Sequence, residues 1–323
     1  MSVLIALFVF GLAFALTPAV IGLSWKIGAV DVPQDWRRMH LESVPRAGGL
    51  AIVLPFLLGC ALLGESSPFL IATLCGGGLM LAVGLADDIF CLGAWSKLFF
   101  QIAAASAAVL GSGATDGMGT ALGIFWVVTL TNAHNFVDGL DGLFAGCATI
   151  ESLLLGLALF LVGEGGLATV AILLAVACLA FRFYNRYPAQ IFAGDCGSES
   201  VGLLLGMLSL PLFSGAVLQI ETLAPLLIFA YPLTDLVTAV VRRVLRGRSP
   251  FAADRAHLHH RICVAGLSCV ECGGVLLAIC FSLGVIGVLL CVETLWVYAI
   301  GACLASALLL FRLRKYIVGV AVG

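Results

Sequence analysis

Charge is what this sequence has least of. Asp, Glu, Lys and Arg make up only 11% of its 323 residues, 62% are hydrophobic, and the mean hydropathy is +1.16. That balance excludes a soluble domain with a solvated surface. A disulfide framework is missing too, because the twelve cysteines are scattered mostly inside apolar runs, where Cys behaves as a small buried hydrophobe. Cys269 and Cys272 form one CxxC, but it lacks the second pair or the spaced His that a zinc site needs. The opening segment has no basic start and is too long for a signal-peptide core, so it reads as a retained first helix. No internal repeat is visible. A net charge of −2 gives no reason to expect a nucleic-acid partner.

What is present is a succession of apolar runs of spanning length, about 17 to 25 residues each. They fall at 2–25, 48–64, 68–86, 96–113, 118–137, 142–163, 165–182, 199–219, 222–241, 273–292 and 294–311. The fold expected is all-α: one polytopic membrane domain over residues 1–323, with about 11 transmembrane helices. The connections 26–47, 87–95, 138–141, 183–198 and 242–272 then share one side with the C-terminus, and all 16 Lys and Arg lie on or beside it. The other side carries only acids: Glu65, Asp116, Glu164, Glu221 and Glu293. By the positive-inside rule the basic side is cytoplasmic and the N-terminus is outside. All five histidines (His40, His134, His257, His259 and His260) also belong to that side, so the chemistry is expected at the cytoplasmic membrane face.

Four polar residues, Asn132, Asn135, Asp138 and Asp141, recur every three positions where an apolar helix runs out. On a helix they form a slowly drifting polar stripe, and ionisable groups at such a boundary mark a functional site. The adjacent carboxylates Asp87 and Asp88 close another apolar run, where mutual repulsion and the helix dipole both call for a cation. Lys97 follows, as a snorkelling anchor or a phosphate contact. Arg46, between Pro45 and the Gly48–Gly49 pair, suits anion binding at a helix N-terminus, whereas Arg37 and Arg38 suit topology. Asp195 sits in a glycine-rich turn, with Ser198 offering an N-cap. Together with the other Asp residues it makes an oxygen-ligand site for Mg²⁺, an ion that takes one or two carboxylates and leaves the rest to water and phosphate. The last long connection sets His257, His259 and His260 among arginines that include Arg255, which suits either anionic lipid or a polyanionic ligand. Asp235 lies within its span and is harder to assign to surface.

From PRAGG near residue 45 to HLHHR near residue 260 the sequence resembles the polyprenyl-phosphate N-acetylhexosamine-1-phosphate transferases, with five motifs in the family's order. The resemblance implies catalytic roles for Asp87, Asp88, Asp138, Asp141 and the histidines His257, His259 and His260, and Mg²⁺ (or Mn²⁺) on Asp195 with Asp138. It implies substrate contacts for Arg46, Lys97, Asn132, Asn135 and Arg255, with Asn185 and Phe192 holding a uridine. The Pro232–Asp235 step with Arg242 and Arg243, and the DRxHLHHR form of the histidine motif, resemble the N-acetylglucosamine branch. Lipid I synthesis on UDP-MurNAc-pentapeptide is the alternative. Cys91 departs from the family, which frequently has an acid or Lys there. Glu199–Ser200 departs where apolar residues are commoner, a difference expected to affect local packing only.

The expected reaction is attack of undecaprenyl or another polyprenyl phosphate on the β-phosphorus of a UDP-N-acetylhexosamine in a bacterial cytoplasmic membrane. Positioning and charge neutralisation would carry the catalysis. A transporter would instead place polar groups such as Glu151 and Asp235 at the membrane midplane. A catalytically silent assembly partner is a second rival, motivated by Cys91. Small-residue faces such as Gly76–Gly78 serve packing within one chain or in a homodimer.

Overall fold

The computed structural model describes residues 2–32, 43–113, 116–213, 220–249, 257–258, 262–263, 266–292, 295–296, 298 and 301. Helices dominate: α1 (Ser2–Ile27), α2 (Gly49–Leu63), α3 (Pro68–Phe90), α4 (Ala94–Gly111), α5 (Gly117–Val137), α6 (Leu143–Leu161), α7 (Gly165–Asn185) and α8 (Gly194–Ser209). After them come α9 (Ala224–Ile228), α10 (Ala230–Leu245) and α11 (Cys269–Leu290). Local chemistry sets several of the ends. Ser67 accepts the Leu70 amide at 3.2 Å with Pro68 in the first turn of α3, and a reciprocal Ser268–Glu271 capping box starts α11.

The chain is a polytopic membrane protein. Seven of the described helices are long and apolar enough to cross a membrane. Helix α5 is long enough but falls short on hydropathy, since Asn132, His134 and Asn135 occupy its end. Helix α2, at 15 residues, is apolar but short. The span expected at 222–241 is broken into α9 and α10 at Phe229. The reason is Pro232: with no N–H to give, it cannot bond the Ile228 carbonyl, and the helix restarts as Leu233 donates to Phe229 O at 3.1 Å. The span expected at 294–311 lies almost wholly outside the described residues. A two-residue antiparallel pair, β1 (Val30–Asp31) with β2 (Val44–Pro45), departs from the all-helical expectation. It forms because Arg46 N–H reaches back to Ala29 O at 2.9 Å.

Helix α8 is the centre of the bundle. Every residue from Cys196 to Ser209 is buried, with α3 packed on one side and α5 on another. Close backbone approach explains this. A Cβ on Gly84 of α3 would lie 2.5 Å from the Cys196 backbone, and one on Gly202 of α8 would lie 2.7 Å from Leu130 O of α5. Gly76 and Gly77 face Ala108 of α4 and Leu203 and Leu204 of α8, so those two glycines serve packing within this chain. The C-terminal end of α3, the N-terminal ends of α4 and α8, and the C-terminal end of α5 are thereby gathered at one place.

Candidate active site

Asp195, expected in a loop, stands in the first turn of α8, because the helix begins at Gly194 rather than beyond Ser198. The Ser198 hydroxyl accordingly does not cap it; it lies one turn in and donates to Gly194 O at 2.8 Å. The amides at the start of α8 are instead capped by remote carboxylates. Asp88 Oδ1 accepts the Asp195 N–H and Oδ2 the Cys196 N–H, both at 3.0 Å, and Asp138 Oδ2 accepts the Gly194 N–H at 3.0 Å. Gly194 adopts φ +70°, and a side chain there would run into Arg46 O and Asp88.

The paired acids of α3 are thus separated in role. While Asp88 holds α8, Asp87 Oδ1 accepts the Leu92 amide at 2.5 Å and Oδ2 pairs with Lys97 Nζ. Lys97, in the first turn of α4, also meets Asp195 Oδ2 at 2.6 Å, and Asn135 Nδ2 donates to Asp195 Oδ1. Arg46 departs from the expected helix N-terminus. Its guanidinium caps the C-terminal end of α3, donating to Asp88 O at 3.0 and 3.2 Å and to Asp87 O at 3.3 Å, and lies 3.4 Å from Asp88 Oδ1. Burial works against its charge, but Asp88 and Asp195 outweigh burial and raise its pKa above the ordinary value. Burial also pushes the Asp138 carboxyl well above the usual carboxylate range; the Gly194 amide opposes this and neighbouring acids add to it.

Asp31, Arg46, Asp88, Asn135, Asp138, Phe192, Gly194 and Asp195 line a cleft of about 250 Å³. Its far wall is pinned by Phe192 N–H donating to Pro45 O at 2.8 Å and Gly48 N–H donating to Phe192 O at 3.1 Å. The donors and acceptors present, four carboxylates with one guanidinium and an ammonium beside them, suit a ligand that combines anionic groups with a cation.

Residues 70–213, from α3 to just beyond α8, match the model of the family described as Glycosyl transferase family 4. A Bacillus subtilis protein described as a probable undecaprenyl-phosphate N-acetylglucosaminyl 1-phosphate transferase is 31% identical, over 87% of this chain and 82% of its own length. The chain belongs to glycosyl transferase family 4, the polyprenyl-phosphate N-acetylhexosamine-1-phosphate transferases. Also similar are a Mycolicibacterium smegmatis decaprenyl-phosphate N-acetylglucosaminephosphotransferase, 35% identical over 76% of this chain and 71% of its own length, and a Yersinia pestis undecaprenyl-phosphate alpha-N-acetylglucosaminyl 1-phosphate transferase, 30% identical over 82% and 77%.

Other residues singled out in this family member lie away from the cleft lining. Asp141 Oδ2 accepts the Ala189 amide at 2.9 Å, and buried Asn185 donates to Ile191 O at 2.9 Å, so both shape the connection between α7 and α8. Asn132 turns inward to Gln101. The expected stripe disperses because α5 stops at Val137, with Asp138 as its C-cap and Asp141 beyond it. His257 Nδ1 lies 2.9 Å from Asp235 Oδ2, and Asp235 Oδ1 accepts the Leu258 amide at 2.8 Å. Asp235, an acid within a span and the end of the Pro232–Asp235 step, thereby anchors the start of the histidine motif. Arg255, His259 and His260 lie outside the described residues. Asp31 was missed: nothing local distinguishes it from other acids of the first connection.

Proposed function

We propose that this chain transfers N-acetylglucosamine-1-phosphate from UDP-N-acetylglucosamine to undecaprenyl or a similar polyprenyl phosphate, releasing UMP. The observation that carries the reading is Lys97 held between Asp87 and Asp195 at the edge of an acid-lined cleft, in a chain whose named relatives are N-acetylglucosamine-1-phosphate transferases. The phosphate monoester has a second pKa near ~6 and is largely ionised at neutral pH, so its oxygen attacks the β-phosphorus with little help from a base. As that bond forms, the bond from the β-phosphorus to the bridging oxygen breaks and UMP departs with it. The remaining difficulty is charge, and this chain addresses it by position. Lys97 and Arg46 bring positive charge to the phosphates, while Asn135 and the α4 ammonium orient Asp195.

The donor set fits Mg²⁺, with Mn²⁺ as a substitute. Among the described residues Asp138 accepts one hydrogen bond, at Oδ2, which leaves Oδ1 for a cation, and the crowding of Asp88, Asp138 and Asp195 is what a cation relieves. Such an ion takes its other ligands from phosphate and water. Asp195 and Asp138 would hold it. When bound, it supplies neutralisation of the diphosphate charge. The gathering of basic residues on one side supports about eleven spans, with the N-terminus outside, the C-terminus inside and the cleft facing the cytoplasm of a bacterium.

The test is UMP release by purified protein from UDP-N-acetylglucosamine and undecaprenyl phosphate, with Mg²⁺ and with chelator. Release that requires both lipid and metal is expected. Release only with UDP-MurNAc-pentapeptide would replace the sugar, and silence with both nucleotides would overturn the reaction.

A further inference from the structure

Asp235 stands on α10 shortly after the break at Phe229 and is only 1% exposed. A carboxylate buried there is costly unless its oxygens are bonded. Both oxygens go to one short stretch 22 and 23 positions later: Oδ2 lies 2.9 Å from His257 Nδ1, and Oδ1 accepts the Leu258 amide at 2.8 Å. A carboxylate can only accept, so His257 Nδ1 carries a proton. The ring is held from a second direction by α5, where Phe136 meets it in a T-shaped contact with centroids 5.0 Å apart. Arg243 of α10, itself buried, lies over the same Phe136 ring at 5.2 Å from its centroid. Phe136 follows Asn135, which lines the cleft and donates to Asp195. An imidazole and a guanidinium are thus gathered around the neighbour of a cleft residue, and the cleft's own lining carries four carboxylates against one guanidinium.

We propose that Asp235 is a positioning residue for the phosphoryl transfer: it fixes His257 beside the end of α5 with the proton on Nδ1, so that His257 acts through Nε2. The role rests on the transfer reading above. An anchor for the chain alone would need only the Leu258 amide; the second oxygen goes to the ring nitrogen that sets the tautomer. A carboxylate at Nδ1 also stabilises the imidazolium, so a phosphate drawn to Nε2 meets a positive donor. Phosphates entering an acid-lined cleft need such charge.

The experiment compares the full chain with Asp235→Asn and His257→Gln in two ways: kcat and KM in the UMP assay, and nitrogen NMR of histidine-labelled protein, in which His257→Gln identifies the His257 signals. The wild-type spectrum is expected to show Nδ1 protonated. In Asp235→Asn the side-chain oxygen keeps the Leu258 amide while its NH₂ faces Nδ1, which moves the proton to Nε2. That variant should lose about 10- to 100-fold in kcat, the scale for removing a group that orients a functional histidine, with KM for UDP-N-acetylglucosamine little changed. His257→Gln should lose at least as much. An unprotonated Nδ1 in the wild type, wild-type kcat in Asp235→Asn, or a smaller loss in His257→Gln than in Asp235→Asn overturns the role. Should Asp235→Asn fail to fold, the wild-type spectrum and the kcat of His257→Gln still decide, because wild-type turnover without the imidazole leaves Asp235 nothing to position. Absence of UMP from the wild-type protein overturns the transfer reading, and the spectra then show separately whether Asp235 fixes the ring.

Discussion

Asp88 of α3 and Cys196 of α8, 108 positions apart in the chain, are joined by a 3.0 Å hydrogen bond from the Cys196 amide to Asp88 Oδ2. With the matching bond from Asp195 N–H to Oδ1, this makes Asp88 the N-terminal cap of the central helix. Asp88→Ala is expected to cost about 2 kcal/mol of stability, the scale for removing a cap and leaving its amides unpaired. Asn at the same place keeps one acceptor and turns an NH₂ toward the other amide, so about half of the loss should persist. Thermal unfolding of both variants, with hydrogen exchange at the 194–196 amides, checks the assignment. Unchanged exchange at those amides would remove the cap.

Asp195 differs from Asp88 in that its oxygens meet side chains from two helices, Lys97 of α4 and Asn135 of α5. Asp195→Asn is expected to reduce turnover at least ~100-fold with the fold retained, the scale for loss of a key electrostatic group. UMP release measured beside the thermal midpoint decides it, and turnover like the wild type would take Asp195 out of the site.

The crossing of α3 and α8 depends on Gly84. Because the clash of an added Cβ would be with Cys196 backbone atoms, neither of which can rotate away, Gly84→Ala should separate the helices at a cost of about 1–3 kcal/mol. Asp87 and Asp88 lie one turn further along α3, so activity should fall with stability. Gly78→Ala, where an added Cβ meets nothing within 4 Å, is the control and should be neutral or slightly stabilising. Equal effects at the two positions would show that the crossing does not depend on close approach.

His134 and Glu151 form a fully buried pair on α5 and α6. Nδ1 of His134 must carry a proton, since it lies 2.8 Å from Leu130 O, and Nε2 faces Glu151 Oε2 at 2.7 Å. Neither residue lines the cleft. Glu151→Ala should therefore lower stability by about 3–5 kcal/mol, while the KM for UDP-N-acetylglucosamine is retained in whatever protein folds. A selective rise in KM would draw Glu151 into the site.

Much of the architecture was legible in the residues. Hydropathy alone located the helices from α1 to α7 to within a few residues, because a run of apolar side chains dictates a helix whatever its neighbours are; for α8 both ends moved, from the expected 199–219 to Gly194–Ser209. It erred where the deciding feature was not apolar. The Pro232 break divided an expected span, and α8 began at Gly194 although its first turn reads as a polar glycine turn. That turn is helical only because Asp88 and Asp138, from two other helices, satisfy its amides.

The same division holds for the candidate site. Residue types and spacing picked out Asp87, Asp88, Lys97, Asn135, Asp138 and Asp195, because polar groups at the ends of apolar helices are costly and therefore few. The sequence by itself determined a helical membrane protein with its polar chemistry gathered at helix ends. Tertiary structure decided which carboxylate caps a helix, which meets Lys97, that Asp141 and Asn185 hold a loop, and that Asn132 turns inward to Gln101. Those assignments depend on contacts such as Lys97 to Asp195, 98 positions apart, and no local periodicity encodes a pairing made between separate helices.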